Sequence, residues 1–146
     1  MRWGAAIGLV IAVGCQSGPR LAGLNPFYRP ELTTFERPAE RIERIRAVAA
    51  QSTGADTPEQ QAIVRDLIEP LAVESDPLIR QATMETLAEF RTPLAAQALL
   101  VGLSDEDAHV RHTCCRLVGD RADRPAIETL QMIAAEDDSF DVRVAA

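Results

Sequence analysis

Three side chains near the middle of the chain have the spacing of a small metal-binding cluster. His109, His112 and Cys115 follow one another at intervals of three residues, which brings them near one side of a helix. Imidazole nitrogen and thiolate sulfur are ligands that zinc prefers in proteins. A structural zinc site takes about four ligands, however, and no second cluster in the sequence completes the set. We therefore predict no metal site, no catalytic site and no cofactor.

Two adjacent cysteines, Cys114 and Cys115, are the next candidates for chemistry. A disulfide between neighbouring residues would strain a helix, because the bond demands a specific separation and torsion. Cys114 shares a helical face with Val110 and Leu117, and a buried free cysteine packs as a small hydrophobe. We predict a packing role. If the protein is exported, burial must keep both thiols inert.

The third cysteine, Cys15, stands in a different setting. Arg2 is followed by 11 apolar residues, 3–13, and then by Gly14 and Cys15. The apolar run is too short for a transmembrane helix, which needs about 20 residues. Its order is instead that of a secretory signal: a basic start, an apolar centre and small residues before a cleavage point.

The tetrapeptide Ala12-Val13-Gly14-Cys15 resembles the bacterial lipoprotein signal. The resemblance implies that residues 1–14 are removed and that Cys15 is lipidated and becomes the first mature residue. Acyl chains would then hold an exported protein at the bacterial cell envelope, on the periplasmic side. The alternatives are an ordinary signal peptide with a chance cysteine, or a free thiol at Cys15.

Residues 15–38 are predicted to be a flexible tether. They contain two glycines and four prolines, and proline restricts its predecessor and removes a backbone donor. No long helix fits such a segment. It is either a mobile linker or a strap along the first helix that follows.

A short sequence motif recurs at a nearly fixed interval in the remaining residues, 39–146. A hydrophobic residue followed by arginine returns after 31 and then 32 residues, at Ile79-Arg80, Val110-Arg111 and Val142-Arg143. A small residue stands two positions after each arginine. Such a period is the signature of stacked repeats.

Each repeat is predicted to contain two helices, A and B. Asp76-Pro77 and Thr92-Pro93 each join a capping side chain to a proline at the first helical position. The predicted helices are 39–51 and one from residue 58, then 77–90 and 93–103, then 106–118 and 125–135. Pro70 is expected to end or kink the second helix. The inward faces are expected to include Ile79, Ala82, Thr83, Leu87 and Phe90 in the second unit, and Ile127, Leu130 and either Ile133 or Ala134 in the third.

Three sequence segments resemble HEAT repeats, in particular the short bacterial units also found in phycobilin lyases. They are residues 76–82 (DPLIRQA), 107–113 (DAHVRHT) and 141–146 (DVRVAA). The resemblance covers residues 39–146. It implies an all-α fold, an α-solenoid of two and a half to three antiparallel helix pairs with an incomplete last unit. We expect that the sequence is a fragment of a longer chain.

The resemblance also implies a polar ladder that ties neighbouring units. Its expected members are Asp76 with Arg80 and Asp107 with Arg111, since residues four apart share a helix face. Arg143 has Ser139 in the corresponding position, which leaves its own partner undecided.

Composition and motifs limit the classes of function that the sequence favours. The formal net charge is −7, from 15 basic and 22 acidic residues, so a nucleic-acid phosphate surface is not the predicted partner. No Gly-rich phosphate loop or nucleophile motif occurs. We predict a non-enzymatic, membrane-anchored scaffold that binds a protein. The alternatives are a lyase-type or maturation enzyme subunit, and the stem of a larger protein.

Overall fold

The computed structural model describes residues 36–122 and 124–146, and these residues are helical with no strand among them. The α-helices are α1 (Pro38–Val48), α2 (Pro58–Ile68), α3 (Pro77–Ala88), α4 (Pro93–Gly102), α5 (Ala108–Arg121), α6 (Ile127–Glu136) and α7 (Phe140–Ala145). Short 3-10 turns lie at Ala49–Gln51, Glu69–Val73 and Arg124–Ala126. The predicted all-α class is confirmed. Residues 1–35, which hold the predicted signal peptide, Cys15 and most of the tether, lie outside the described residues.

Capping side chains and prolines fix where the helices begin. Asp76 accepts a hydrogen bond from the backbone N–H two residues on, and Thr92 accepts one from the N–H three residues on. Pro77 and Pro93 occupy the first helical positions, where the missing N–H has no partner to lose. Both cap-and-proline pairs that the sequence predicts are present.

The second helix, α2, ends two residues before Pro70. The α-helical hydrogen bonds of α2 stop at Ile68, and the chain continues as the 3-10 turn Glu69–Val73, which contains Pro70. Proline lacks the N–H that would donate to the preceding turn of an α-helix. The termination predicted at this position is therefore confirmed.

The helices stack as an α-solenoid. The A helices α1, α3, α5 and α7 pack each on the next in order, and α4 packs against both α3 and α5. The core lies between these layers, and its largest fully buried side chains include Phe90, Leu87, Leu99 and Leu103. A repeat cannot bury its apolar face alone, so each unit depends on its neighbour for a core.

The predicted inward face of α3 is confirmed, because all five of its expected residues are buried. The prediction for α6 is wrong at Ile127, which is 51% exposed, whereas Ile133 is buried. Ile127 is the first residue of α6, after the 3-10 turn Arg124–Ala126, and Ala126 in that turn is fully buried. Ala126 in the turn therefore occupies the inward position that was predicted for Ile127.

Helix α4 approaches α5 closely at Gly102. A Cβ atom built there would lie 2.5 Å from the Cys114 sulfur and 3.1 Å from the Met84 methyl carbon. Both neighbours are buried, so neither can move aside into solvent. Glycine is therefore required by the packing of α4 on the A helices.

We predict that Gly102→Ala destabilises the protein by about 2 kcal/mol, because the added methyl overpacks the core. The measurement is urea unfolding followed by circular dichroism. Cys114→Ala removes the closest atom, so the double variant should lose less stability than the sum of the two single variants. Gly119→Ala is the matched control, since its added Cβ meets nothing within 4 Å. A Gly102→Ala variant as stable as Gly119→Ala would contradict the packing described here.

Candidate functional site: an arginine ladder and an apolar groove

Arg80 joins the second helix pair to the third. Its Nε and Nη2 donate to the two carboxylate oxygens of Asp105, at 2.9 and 2.8 Å. Its Nη1 donates to the carbonyl oxygens of Glu74 and Ser75, both at 3.2 Å. One edge of the guanidinium thus holds the turn of its own unit, and the other edge holds the next unit. Paired N–H bonds to one carboxylate are among the strongest protein hydrogen bonds.

Arg111 repeats this arrangement one unit further on. Its Nε and Nη2 donate to Asp137 at 2.8 and 3.0 Å, and its Nη1 donates to the carbonyls of Asp105 and Glu106 at 2.9 and 3.1 Å. The side chains of Arg111 and Asp137 are largely buried. In each of these two successive units, the arginine guanidinium therefore positions both the turn of its own unit and the acid of the next unit.

Asp76 and Asp107 do not take the ladder positions that the resemblance implies. Each accepts the backbone N–H two residues on, at 2.9 and 2.8 Å, and so caps its helix. Within the described residues, neither carboxylate bonds the arginine of its own helix. The cap residue has an extended backbone, with ψ of 114° at Asp76 and 128° at Asp107. It therefore lies outside the helical geometry that brings residues four apart together.

The acids that complete the ladder stand two residues before each cap. Glu74, Asp105 and Asp137 each accept the backbone N–H of the cap residue, at 2.9, 2.8 and 2.8 Å. We call this three-residue arrangement the acid-x-cap turn. One carboxylate thus fixes the turn that starts an A helix and also receives the arginine of the preceding unit.

A first ladder rung, missed by sequence reasoning, joins Arg41 to Glu74 at 2.5 Å. Arg41 is the fourth residue of α1, as Arg80, Arg111 and Arg143 are the fourth residues of α3, α5 and α7. Glu40 precedes Arg41, so a search for a hydrophobic residue before arginine passes over it. The position of the arginine after the helix start is the signal that would have found it.

The hydrogen bonds of the ladder shift the pKa values of several groups that form it. Hydrogen bonds from Arg111 hold the pKa of Asp137 below its ordinary value, because they favour the charged carboxylate. The bond to Asp105 raises the pKa of Arg80, and the bond to Asp137 raises the pKa of Arg111. Arg80, Arg111 and Asp137 therefore stay ionised at neutral pH.

Arg143 makes the same kind of bonds to its own turn as Arg80 and Arg111 make to theirs. Its Nη1 donates to the carbonyls of Asp137 and Asp138, at 2.5 and 3.4 Å. Its guanidinium carbon lies 5.7 Å from the centre of the Phe140 ring. Within residues 36–122 and 124–146 no carboxylate bonds its Nε and Nη2 edge. Ser139, the residue four before it, takes the cap position of α7.

The cysteines on α5 are packing residues. Cys114 and Cys115 are both free and both buried. Burial raises the pKa of Cys114 to about 12 and also raises that of Cys115, since the interior disfavours a thiolate. His109 is exposed and His112 is half-buried, and no group of metal ligands occurs among the residues that the structure describes.

An apolar groove of about 370 Å³ lies between α1 and α2. Its walls include Ile45 and Val48 from α1, and Ile63 and Leu67 from α2, all half-buried. Arg44 and Asp66 stand among the lining residues as charged groups. No residue of α1 is buried, because α1 packs mainly on α3 and leaves its side toward α2 partly open. The groove is of a size that accepts one or two side chains of a bound partner.

Comparison with protein families decides what kind of repeat this is. The model of HEAT repeats matches residues 64–146, more than half of the chain. The chain belongs to the HEAT-repeat family. HEAT repeats commonly serve as protein-interaction scaffolds and are generally non-enzymatic. No curated protein and no solved structure gives a significant match to the HEAT-repeat chain.

We predict that Arg111→Met destabilises this HEAT-repeat chain by about 3 kcal/mol, because it leaves the buried Asp137 carboxylate without its partner. Arg116→Met on the same helix is the matched control. The Arg116 side chain is 55% exposed and pairs with Asp120 at 3.5 Å, so its loss should cost less than about 0.5 kcal/mol. Urea unfolding measures both. Equal losses in the two variants would contradict a stabilising ladder.

Proposed function

We propose that this HEAT-repeat chain is a membrane-anchored scaffold that binds a protein partner in the groove between α1 and α2. The observation that carries the proposal is the groove itself, since it presents half-exposed apolar side chains at the side of a rigid stack. Concave sites lined by apolar side chains with a few polar groups are common places for binding. The family supports the scaffold role, because HEAT repeats commonly bind proteins.

The chemistry of the groove favours an apolar segment of the partner. Aliphatic side chains form its walls, and the charged groups beside them include Asp66 and also Arg44, which pairs with Glu36. Apolar anchors in a partly desolvated pocket supply most of the binding energy at protein interfaces. Polar groups beside the groove would set the orientation of the bound segment.

The membrane part of the proposal rests on the sequence around Cys15. No helix among the described residues is long and apolar enough to cross a membrane. The anchor we propose is instead the lipid on Cys15, in a protein exported to the periplasmic side of the bacterial envelope. Stable attachment needs more than one acyl chain, which a lipoprotein cysteine carries.

The groove is tested by photo-crosslinking in cells. A photoreactive amino acid at Leu67 should give a discrete crosslinked product, because this side chain lines the groove. The matched control is Arg65, an exposed position on the same helix that does not line the groove. A Leu67 variant that gives no product, or the same products as Arg65, would contradict binding in the groove.

The anchor is tested by Cys15→Ser. The unchanged protein should incorporate labelled palmitate and stay in the membrane fraction, and globomycin should block its processing. Cys15→Ser should abolish the labelling, because serine lacks the thiol that takes the lipid. Ser17→Ala, two residues on, is the control and should be labelled normally. Unchanged location and labelling in Cys15→Ser would rule out the lipid anchor.

A further inference from the structure

The α1–α2 groove lies where the second helix pair, α3 and α4, has a closed contact between its two helices. We propose that the groove binds a partner segment that carries an aromatic side chain and, apart from it, an arginine or lysine. The ring would fill the end of the groove near Gln51, and the cation would pair with Asp66. The inference rests on the proposed function, because it names the partner chemistry of the same site.

The first helix pair differs from the second in the length of its connecting loop. Residues 52–56 separate Gln51 from the cap of α2, whereas Arg91 alone separates Phe90 from the cap of α4. Gln51 and Phe90 are equivalent positions, since each lies ten residues after the ladder arginine of its own unit. Helices α3 and α4 pack closely, whereas α1 and α2 make little direct contact. The longer loop allows α2 to stand away from α1.

The tenth residue of each B helix limits how closely the two helices of a pair can approach. This residue is Leu67 in α2 and Gly102 in α4. Gly102 lets α4 pack tightly, since a Cβ atom there would lie 2.5 Å from the Cys114 sulfur. Leucine is too large for such an approach, and Leu67 instead lines the groove as a half-buried side chain. Loop length and side-chain size thus both keep the first pair open.

The side chains that fill the second pair are replaced by smaller or polar ones in the first. Phe90 is fully buried and belongs to the largest side chains of the core. Its equivalent, Gln51, is exposed and lines the groove. Val48 likewise stands where the second pair has the larger Leu87. The first pair therefore has room for a partner's ring where the second pair holds its own, and aromatic side chains contribute large buried areas to interfaces.

An unpaired carboxylate lies beside the apolar walls. The charged side chains that line the groove are Arg41, Arg44, Asp66 and Glu74. Arg41 pairs with Glu74, and Arg44 pairs with Glu36. Among the residues that the structure describes, Asp66 has no ion pair of this kind. Charge complementarity therefore favours an arginine or lysine of the partner over an acidic residue.

The two recognition points are separated along α2. Nε2 of Gln60 donates to the carbonyl oxygen of Gln51 at 2.9 Å, so Gln51 lies beside the start of α2. Asp66 follows Gln60 by six residues on the same helix. That separation is about 9 Å, because a helix rises about 1.5 Å per residue. The ring and the cation of the partner should stand at a similar distance, which is nearly two turns of a helix.

The test selects peptides on the full chain from a phage-displayed random library. Gln51→Phe should fill the groove with the chain's own ring, so the peptides that this variant fails to bind are the groove ligands. Gln97→Phe is the matched control, because Gln97 is exposed on α4 and does not line the groove. Peptides lost by Gln51→Phe alone should carry an aromatic residue and an arginine or lysine. Replacing that aromatic residue by alanine should weaken binding at least about tenfold.

The charge is tested by measuring the affinity of the selected peptides with fluorescence anisotropy. Asp66→Arg should weaken binding at least about fivefold at low salt, and added salt should reduce the loss because it screens the charges. Glu69→Arg is the matched control, since Glu69 is exposed and does not line the groove. It should change the affinity less than about twofold. Circular dichroism checks that every variant keeps the helix content of the unchanged chain.

Groove ligands without a cation, or equal losses in Asp66→Arg and Glu69→Arg, would overturn this inference and leave the proposed function standing. Failure to find any peptide that Gln51→Phe loses would also overturn it, whereas the crosslink at Leu67 in cells decides separately whether a protein binds there. A Leu67 crosslink confined to the chain itself, or dimerisation that Gln51→Phe abolishes, would overturn it as well, because the occupant would then be this chain.

Discussion

The structure depends on a buried bidentate bond between an arginine of one unit and a carboxylate of the next. Taking both charges out of water is costly, and the cost is recovered only when every polar atom has a partner. The arginines meet this condition by bonding two carbonyls on one side and a carboxylate on the other. No buried polar side-chain atom in the described part of the chain lacks a hydrogen-bond partner. Registration between units is therefore set by polar geometry as well as by the apolar core.

The acid-x-cap turn explains why the repeat is so regular. A single carboxylate starts an A helix by bonding its cap residue, and it also fixes the distance to the preceding A helix by bonding an arginine. Local folding of the turn and stacking of the units thus use the same carboxylate. Gly102 adds a second constraint, because only glycine lets α4 approach Cys114 and Met84 closely. Together these constraints set the packing of the frame that holds the α1–α2 groove.

Much of this frame could be predicted from sequence. The period, the prolines and the capping residues predicted the helices, and the helical pattern predicted the buried face of α3. The HEAT resemblance is confirmed, whereas its bacterial, phycobilin-lyase kind stays a prediction. The pairing of Asp76 with Arg80 was wrong because the rule for residues four apart applies inside a helix, and Asp76 lies just outside it. The true partner, Asp105, is 25 residues away, and only the stacking of units brings it near. The groove was not predicted because it depends on how α1 packs on α3 while its side toward α2 stays partly open, which the helical pattern does not specify.

The central claim is that the ladder couples neighbouring units, and a double-mutant cycle between Arg80 and Asp105 tests it most directly. Arg80→Met, Asp105→Asn and the double variant would be compared with the unchanged protein by urea unfolding. The account predicts a coupling energy above about 1 kcal/mol. Arg80→Met leaves the Asp105 carboxylate without its guanidinium, and Asp105→Asn leaves Arg80 with only the exposed carboxylate of Glu106 as an ionic partner. Additive losses, with coupling below about 0.3 kcal/mol, would contradict it.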